Sequence, residues 1–88
     1  MRTVRILISG RVQGVFFRRY IQQHAKELGI KGYVRNLPTG KVEIVAQGEK
    51  IEELLRHAHR GPPLARVEDV KTEEIDEPEK FDDFRILP

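Results

Sequence analysis

The order of hydrophobic patterns along the chain predicts an α+β fold. It is expected to be a β-α-β-β-α-β sandwich with an antiparallel sheet, two helices on one face and a short extra C-terminal strand. Apolar and polar residues alternate in several short runs, as in strands, and two longer runs between them have the spacing of helices. The chain has 88 residues, 39% of them hydrophobic, which suits a single domain over residues 1–88 with a simple core.

The N-terminal third predicts one strand followed by one helix. Val4, Ile6 and Ile8 share one side of an alternating run, and Gly10 is expected to end this strand. From about Phe16 the apolar spacing becomes helical and continues as far as a glycine at position 29, a residue typical of helix C-termini. The first helix is therefore expected to begin with a pair of phenylalanines that anchor it to the core.

A hairpin and a second helix are predicted next. Residues 30–35 and 41–47 alternate on either side of Asn-Leu-Pro-Thr-Gly at 36–40, whose proline and glycine are typical of a turn. Apolar residues over 51–58 then recur at helical spacing, and the Gly-Pro-Pro run at 61–63 is expected to end that helix.

The C-terminal part of the chain is expected to form the last two strands, from Ala65 to about Ile75 and over 84–87. It is also acidic, because residues 73–88 carry 2 Lys and Arg against 7 Asp and Glu, whereas residues 1–72 carry 14 against 7. These net charges of −5 and +7 give the overall +2. A basic body could attract a small anion or a nucleic acid, or it could simply be a solvated surface.

Composition excludes several kinds of site. The chain has no cysteine, which excludes disulfides, thiolate catalysis and cysteine-ligated metal centres. Arg5 breaks the apolar run near the N-terminus, which is too short for a signal peptide or a membrane span, so a cytoplasmic location is expected. Charged residues make up 34% of the chain beside one asparagine, a balance typical of heat-adapted proteins. The three histidines, His24, His57 and His59, are expected to be solvated on helix faces.

The stretch GRVQGVFFRR at residues 10–19 has features of an anion site. No Ser, Thr, Asp or Asn stands at the start of the helix, so Gln13 is the only nearby side chain that could cap it. Gly10 and Gly14 could curl the loop so that backbone N–H groups converge on a phosphate at the positive end of the helix dipole. The alternative is a tight turn between strand and helix, with the helix capped by water.

Two side chains are expected to reach this loop. Arg18 lies at the edge of the helix face that Phe17 buries and leans back toward the loop, whereas Arg19 is rotated about 200° from Phe17 and faces solvent. Asn36 shares a strand face with Val34 and should emerge on the helix side, although an asparagine that merely begins a turn is an alternative. The planar guanidinium of an arginine matches a phosphate through two parallel hydrogen bonds.

The remaining chemical groups restrict the reaction. The chain lacks the G-x-x-x-x-G-K-[ST] motif of a nucleotide P-loop. Its aspartates lie outside any visible phosphate loop, which argues against an aspartyl nucleophile. A cationic cradle with an amide, but without an obvious nucleophile, base or metal, suits a leaving group that needs no acid, such as the carboxylate of a carboxyl-phosphate anhydride.

The run GRVQGVFFRRYIQQHAKELGIKGYVRN, followed by GKVEIVAQG, closely resembles the acylphosphatase family, and the resemblance covers essentially the whole chain. It implies a ferredoxin-like fold and hydrolysis of a small-molecule acyl phosphate to inorganic phosphate by in-line attack of water. It further implies no metal or other cofactor, no covalent intermediate and no nucleic-acid or membrane partner, and we expect a monomer.

The same resemblance assigns roles to individual residues. Arg18 corresponds to the catalytic arginine of the family, and Asn36 to the asparagine that orients the attacking water. The phosphate is expected to bind to the backbone of a cradle formed by Arg11, Val12, Gln13, Gly14, Val15 and Phe16.

Two other functions are open at this point. A nucleic-acid-binding module can share this element order, and the Lys-Gly-Tyr run at 31–33 begins like an RNA-binding sheet motif, but Arg35 and Leu37 stand where exposed aromatics are required. A small-ligand regulatory domain of related topology would not need Arg18 and Asn36 together.

Overall fold

The computed structural model describes residues 1–76 and 78–88, and every predicted element is present there in the predicted order. None of the helices in the described part of the chain is long and apolar enough to cross a membrane. The elements are β1 (Arg2–Arg11), α1 (Phe17–Glu27), β2 (Lys31–Asn36), β3 (Val42–Gly48), α2 (Ile51–Arg60), β4 (Arg66–Glu74) and β5 (Phe84–Ile86).

The five strands form one sheet in the order β4-β1-β3-β2-β5. The pairs β4 with β1, β1 with β3 and β3 with β2 are antiparallel, as predicted. The short extra strand, whose direction the sequence does not predict, differs from the others, because β5 pairs with β2 in parallel. The chain leaves β4 at one edge, crosses the sheet and pairs at the opposite edge, so β5 runs in the same direction as β2. The sheet is therefore mixed, and its C-terminal strand lies beside the end of β2.

One face of the sheet carries both helices and encloses the core. Val4, Ile6 and Ile8 of β1 point to this face, and the apolar sides of α1 and α2 cover it. The core residues from the two helices are Phe17, Ile21 and Ala25 in α1 and Ile51, Leu54 and Ala58 in α2. This packing fixes the start of α1 over the end of β1, where the predicted site lies.

The other face of the sheet is partly covered by the segment between β4 and β5. The Gln47 side chain donates a hydrogen bond to the Glu79 carbonyl at 2.9 Å and accepts one from the Phe81 N–H at 3.2 Å. The Phe81 ring meets Tyr33 edge to face, with ring centroids 6.0 Å apart. Tyr33 is therefore engaged within the protein, which weakens the RNA-binding alternative that depended on it.

Gly10 does not end the first strand, contrary to expectation, since β1 continues to Arg11. The register between β1 and β4 shifts between Ser9 and Gly10, which marks a β-bulge. Gly10 has φ 121°, and a Cβ there would lie 2.2 Å from the Arg66 carbonyl oxygen. This glycine is thus required for the close approach of β4.

The histidine prediction is wrong for two of the three residues. His24 of α1 and His57 of α2 stack with ring centroids 3.7 Å apart and an angle of 11° between the rings. The Tyr20 hydroxyl donates to the His57 carbonyl at 2.8 Å beside them. Burial, and next the neighbouring His24, lower the pKa of His57 below its ordinary value. Only His59 is exposed as expected.

Candidate active site

The loop between β1 and α1 is anchored by two buried valines and shaped by two left-handed residues. Val12 and Val15 pack into the core. Gly14 has φ 74°, in the region that glycine adopts without steric cost. Phe16 has φ 64° and ψ 26°, although a bulky side chain disfavours this conformation by roughly 1–3 kcal/mol. The expectation that both phenylalanines anchor the helix is wrong, because Phe17 is buried whereas Phe16 is 74% exposed.

The N-terminus of α1 has no side-chain cap. Gln13, the predicted candidate, instead donates to the backbone carbonyls of Leu37 at 2.8 Å and Lys41 at 2.9 Å. Within residues 1–76 and 78–88, no acceptor is found for the backbone N–H groups of residues 13–19. Uncapped N–H groups at a helix start, reinforced by the helix dipole, attract an anion.

Arg18 supplies a positive charge beside these N–H groups. Its side chain is half-buried, and Nη1 donates to the Leu87 carbonyl at 3.0 Å. Among the described residues this is the one hydrogen bond of its guanidinium, and no described carboxylate lies within 4 Å of it. A guanidinium has five N–H donors, so Arg18 is oriented by Leu87 and retains donors for a ligand.

Asn36 is the last residue of β2 and pairs with Val42 of β3. It lies on the helix side of the sheet, as its parity with buried Val34 predicts. The Asn36 Oδ1 atom is buried and accepts no hydrogen bond from the part of the chain that the structure describes. Buried acceptors in proteins are almost always satisfied, so an unpartnered Oδ1 in a residue that lines a cavity is exceptional and marks Asn36 as a candidate binding group.

These groups line one cavity of about 280 Å³, close to the lower end of the ~300–1,000 Å³ range of small-molecule sites. It brings Arg18 and Asn36 together with the curled loop. Arg19 contributes to the rim while remaining exposed, as predicted. The residues that line it are Val12, Gly14, Phe16, Phe17, Arg18, Arg19, Asn36 and Ile86.

Three members of the predicted cradle do not line the cavity. Arg11 is the last residue of β1 and pairs with Arg66 of β4. Val15 is buried beneath the loop, and Gln13 is turned toward the β2–β3 turn. The side chains of Val15 and Gln13 hold the loop in place, and phosphate binding by the backbone of residues 11–16 stays a prediction.

Sequence reasoning missed the contribution of β5. Ile86 lines the cavity, and the carbonyl of Leu87 accepts the hydrogen bond that orients Arg18. The strand itself was predicted, and the alternation from Phe84 to Ile86 indicates that both side chains share a face. The pairing of β5 with β2, which brings that face to the site, has no signal in the local sequence pattern.

The described residues contain no group of three or more His, Cys, Asp or Glu side chains placed to hold a metal ion. The groups that line the cavity are backbone N–H groups of the loop and the guanidinium of Arg18, with Arg19 at the rim and the amide of Asn36 as the polar group opposite. Such a set binds and orients an anion and a water molecule.

Comparison with known proteins places the chain in a protein family. A family model described as Acylphosphatase matches residues 4–86. An acylphosphatase of Rubrobacter xylanophilus is 55% identical over 75 residues, which cover 83% of this chain and 68% of that protein. An acylphosphatase of Methylococcus capsulatus is 46% identical over 89 residues, covering 99% and 97%. The crystal structure of acylphosphatase from Bacillus subtilis has a TM-score of 0.96 at 33% identity, with 100% of both chains covered.

Proposed function

This chain belongs to the acylphosphatase family and is a hydrolase of acyl phosphates, and from that premise we propose how it converts a carboxyl-phosphate anhydride into a carboxylate and inorganic phosphate. The backbone N–H groups of residues 11–16 and the guanidinium of Arg18 bind the phosphoryl oxygens. Asn36 holds the attacking water. The observation that carries this proposal is that Asn36, whose buried Oδ1 accepts no hydrogen bond from the described residues, lines the same cavity as Arg18.

The phosphoryl group is bound by donors that are held in place before the substrate arrives. Loop N–H groups have positions fixed by buried Val12 and Val15 and by the hydrogen bonds of Gln13. The hydrogen bond to the Leu87 carbonyl orients Arg18 before the substrate arrives. Preorganised donors of this kind stabilise charge on the equatorial oxygens of the transition state more than they would in water.

Asn36 orients the nucleophile. A water that donates a hydrogen bond to Oδ1 keeps a lone pair available for phosphorus, and a second bond from the Asn36 amide N–H₂ would fix its direction. Attack in line with the bond to the acyl oxygen then displaces the carboxylate. Because the water and the phosphoryl group are both bound in this geometry, a bimolecular reaction with solvent becomes an effectively unimolecular step.

The chemistry needs no protein acid. The water oxygen forms a bond to phosphorus, the bond between phosphorus and the acyl oxygen breaks, and the electron pair leaves on a carboxylate that is stable near neutral pH. One proton of the water passes to a non-bridging oxygen, so the products are a carboxylate and dihydrogen phosphate. We propose that the substrate's own phosphoryl group accepts this proton, because no carboxylate or histidine lines the cavity.

A single copy of the chain and no metal suffice in this mechanism. Backbone N–H groups of the loop, Arg18 and Asn36 perform every step proposed above. We therefore propose a monomeric, metal-independent enzyme. Its specific activity should not change on dilution to nanomolar concentrations or on addition of a chelator.

The test is hydrolysis of benzoyl phosphate with chelator present, comparing the parent with Arg18→Ala and Asn36→Ala. Each variant is expected to lose about 100-fold or more in kcat, the scale of one transition-state donor. Arg56→Ala is the matched control, because Arg56 is an exposed arginine on α2 outside the cavity.

Three outcomes contradict the mechanism. Turnover that requires a metal ion would exclude the metal-free route. Full activity of Asn36→Ala would exclude its role in holding water. A pH–rate profile that requires an enzyme group titrating near neutrality would exclude the substrate as proton acceptor.

A further inference from the structure

Two exposed apolar side chains lie beside the polar groups of the cavity. Among the residues that the structure describes, the exposed large apolar side chains are those of Met1, Phe16, Leu64 and Ile86. Phe16 and Ile86 both line the cavity that contains Arg18 and Asn36. Neither contributes to the buried core, so their apolar surface is not explained by folding.

Phe16 occupies a backbone conformation that does not favour it. Its φ of 64° lies in the left-handed region, where glycine or asparagine would be accommodated with less strain. The residue also stands at the N-cap of α1, where a polar side chain would stabilise the helix and Phe16 makes no such hydrogen bond. A strained, exposed aromatic at the mouth of a binding cavity is better explained by contact with a ligand than by stability.

Ile86 reaches the cavity through the pairing of β5 with β2. Its Cα pairs with that of Val34, and the N–H of Leu87 donates to the Val34 carbonyl at 2.9 Å. Paired residues project to the same face of a sheet, so Ile86 lies on the helix side, beside the strand that ends at Asn36. It is 37% exposed because β5 is the edge strand.

We propose that Phe16 and Ile86 form an acyl subsite that binds the apolar part of the substrate and favours acyl phosphates with an aromatic or extended aliphatic acyl group. The inference rests on the proposed function. An acyl phosphate has a charged phosphoryl end and an acyl end. The hydrocarbon part of the acyl end differs from one substrate to another. Arg18, the N–H groups and Asn36 suit the first end, and the acyl subsite suits the second, since apolar surface gains by leaving water.

The test compares two substrates that differ only in the acyl group, benzoyl phosphate and acetyl phosphate. The measured quantity is the ratio of their kcat/KM values, because damage to the phosphoryl site lowers both and leaves the ratio unchanged. In the parent we expect benzoyl phosphate to be favoured by roughly tenfold or more, the scale of a few buried carbon atoms.

Two variants remove the subsite while preserving the backbone. Phe16→Asn places at this position a residue that tolerates a left-handed conformation, and Ile86→Thr retains a β-branched residue in the edge strand. Each is expected to lower the benzoyl preference about threefold to tenfold. Leu64→Asn is the matched control, because Leu64 is 66% exposed but lies outside the cavity, and it should leave the ratio unchanged.

The results separate failure of the subsite from failure of the proposed function. If the parent hydrolyses both substrates and neither variant changes the ratio, the acyl subsite is wrong while the proposed function stands. An equal loss for both substrates in Phe16→Asn would mean that Phe16 acts on the phosphoryl site instead. If the parent hydrolyses neither substrate, the proposed function fails and the subsite fails with it.

Discussion

The side chain of Gln13 joins the loop between β1 and α1 to the turn after β2, because its Nε2 donates to the Leu37 carbonyl at 2.8 Å. The same nitrogen donates to the Lys41 carbonyl at 2.9 Å. Leu37 directly follows Asn36, and its N–H donates to the Lys41 carbonyl, which closes the turn. One half-buried carboxamide therefore fixes the position of the curled loop relative to the strand end that bears Asn36.

Gln13→Leu is expected to lower kcat for benzoyl phosphate by roughly 10- to 100-fold, because a displacement near 1 Å between bound phosphate and water has effects of this size. Stability should fall by only about 1 kcal/mol, since both carbonyls retain a backbone donor in the turn. Steady-state kinetics and thermal unfolding give the two values. Gln23→Leu, at an exposed position of α1, is the control. A loss of stability without any loss of kcat would show that Gln13 stabilises the fold but does not position the loop for catalysis.

The elements and the faces of Arg18 and Asn36 could be predicted because they follow from local periodicity. Helix rotation separates Arg18 from Arg19, and strand parity puts Asn36 on the face of Val34. The bonds of Gln13 to the turn and of Arg18 to Leu87 join residues far apart in sequence, and they depend on how whole elements pack. The left-handed conformation of Phe16 was not predicted either, because the sequence pattern favoured continuing the helix through both phenylalanines.

Arg18 and Arg19 are adjacent in sequence but should differ sharply in function. Arg18 is half-buried and oriented by Leu87, whereas Arg19 is exposed at the rim of the cavity. Arg18→Ala is expected to lower kcat by about 100-fold or more, and Arg19→Ala by a few-fold at most. Arg18→Lys should recover little of the loss, because an ammonium group lacks the planar fork that matches a phosphate. Greater damage from Arg19→Ala than from Arg18→Ala in kcat measurements would overturn the assignment.

Glu43 of β3 lies between two arginines on the sheet face away from the helices. Its carboxylate accepts hydrogen bonds from Arg5 Nε and Arg35 Nε, each at 2.6 Å, and it is 3% exposed. Burial alone would raise the pKa of the Glu43 carboxyl, but the hydrogen bonds and charges of Arg35 and Arg5 outweigh it and hold the pKa below its ordinary value of 4.5. The ionised form is therefore favoured in the folded protein.

Because this pKa is lower in the folded state, the stabilisation from Glu43 is complete above pH 4.5 and disappears as the pH falls through the folded value. Glu43→Gln should therefore lower Tm at pH 7, and the difference in Tm from the parent should shrink as the pH falls below 4.5. Thermal unfolding of both proteins from pH 7 to pH 3 measures the effect. A difference that stays constant with pH would mean that packing, not charge, stabilises this group.

The stacked pair His24 and His57 predicts a second effect of pH on stability, at a higher pH than the effect of Glu43. The pKa of His57 is lowered in the folded protein, first by burial and next by His24, so protons bind more readily to the unfolded chain. Stability should accordingly fall as the pH drops below 6.5, the ordinary pKa of histidine, and above pH 6.5 this group should not affect stability.

His57→Phe keeps a ring for stacking but cannot titrate, so its Tm should fall less between pH 7.5 and about pH 5.5 than that of the parent. His59→Phe is the matched control, since His59 is exposed on α2, and an equal pH response of all three proteins would contradict the prediction. The charged groups that act on His57 besides its stacking partner are Glu27, Arg56 and Arg60, and Tyr20 borders it through the bond to its carbonyl.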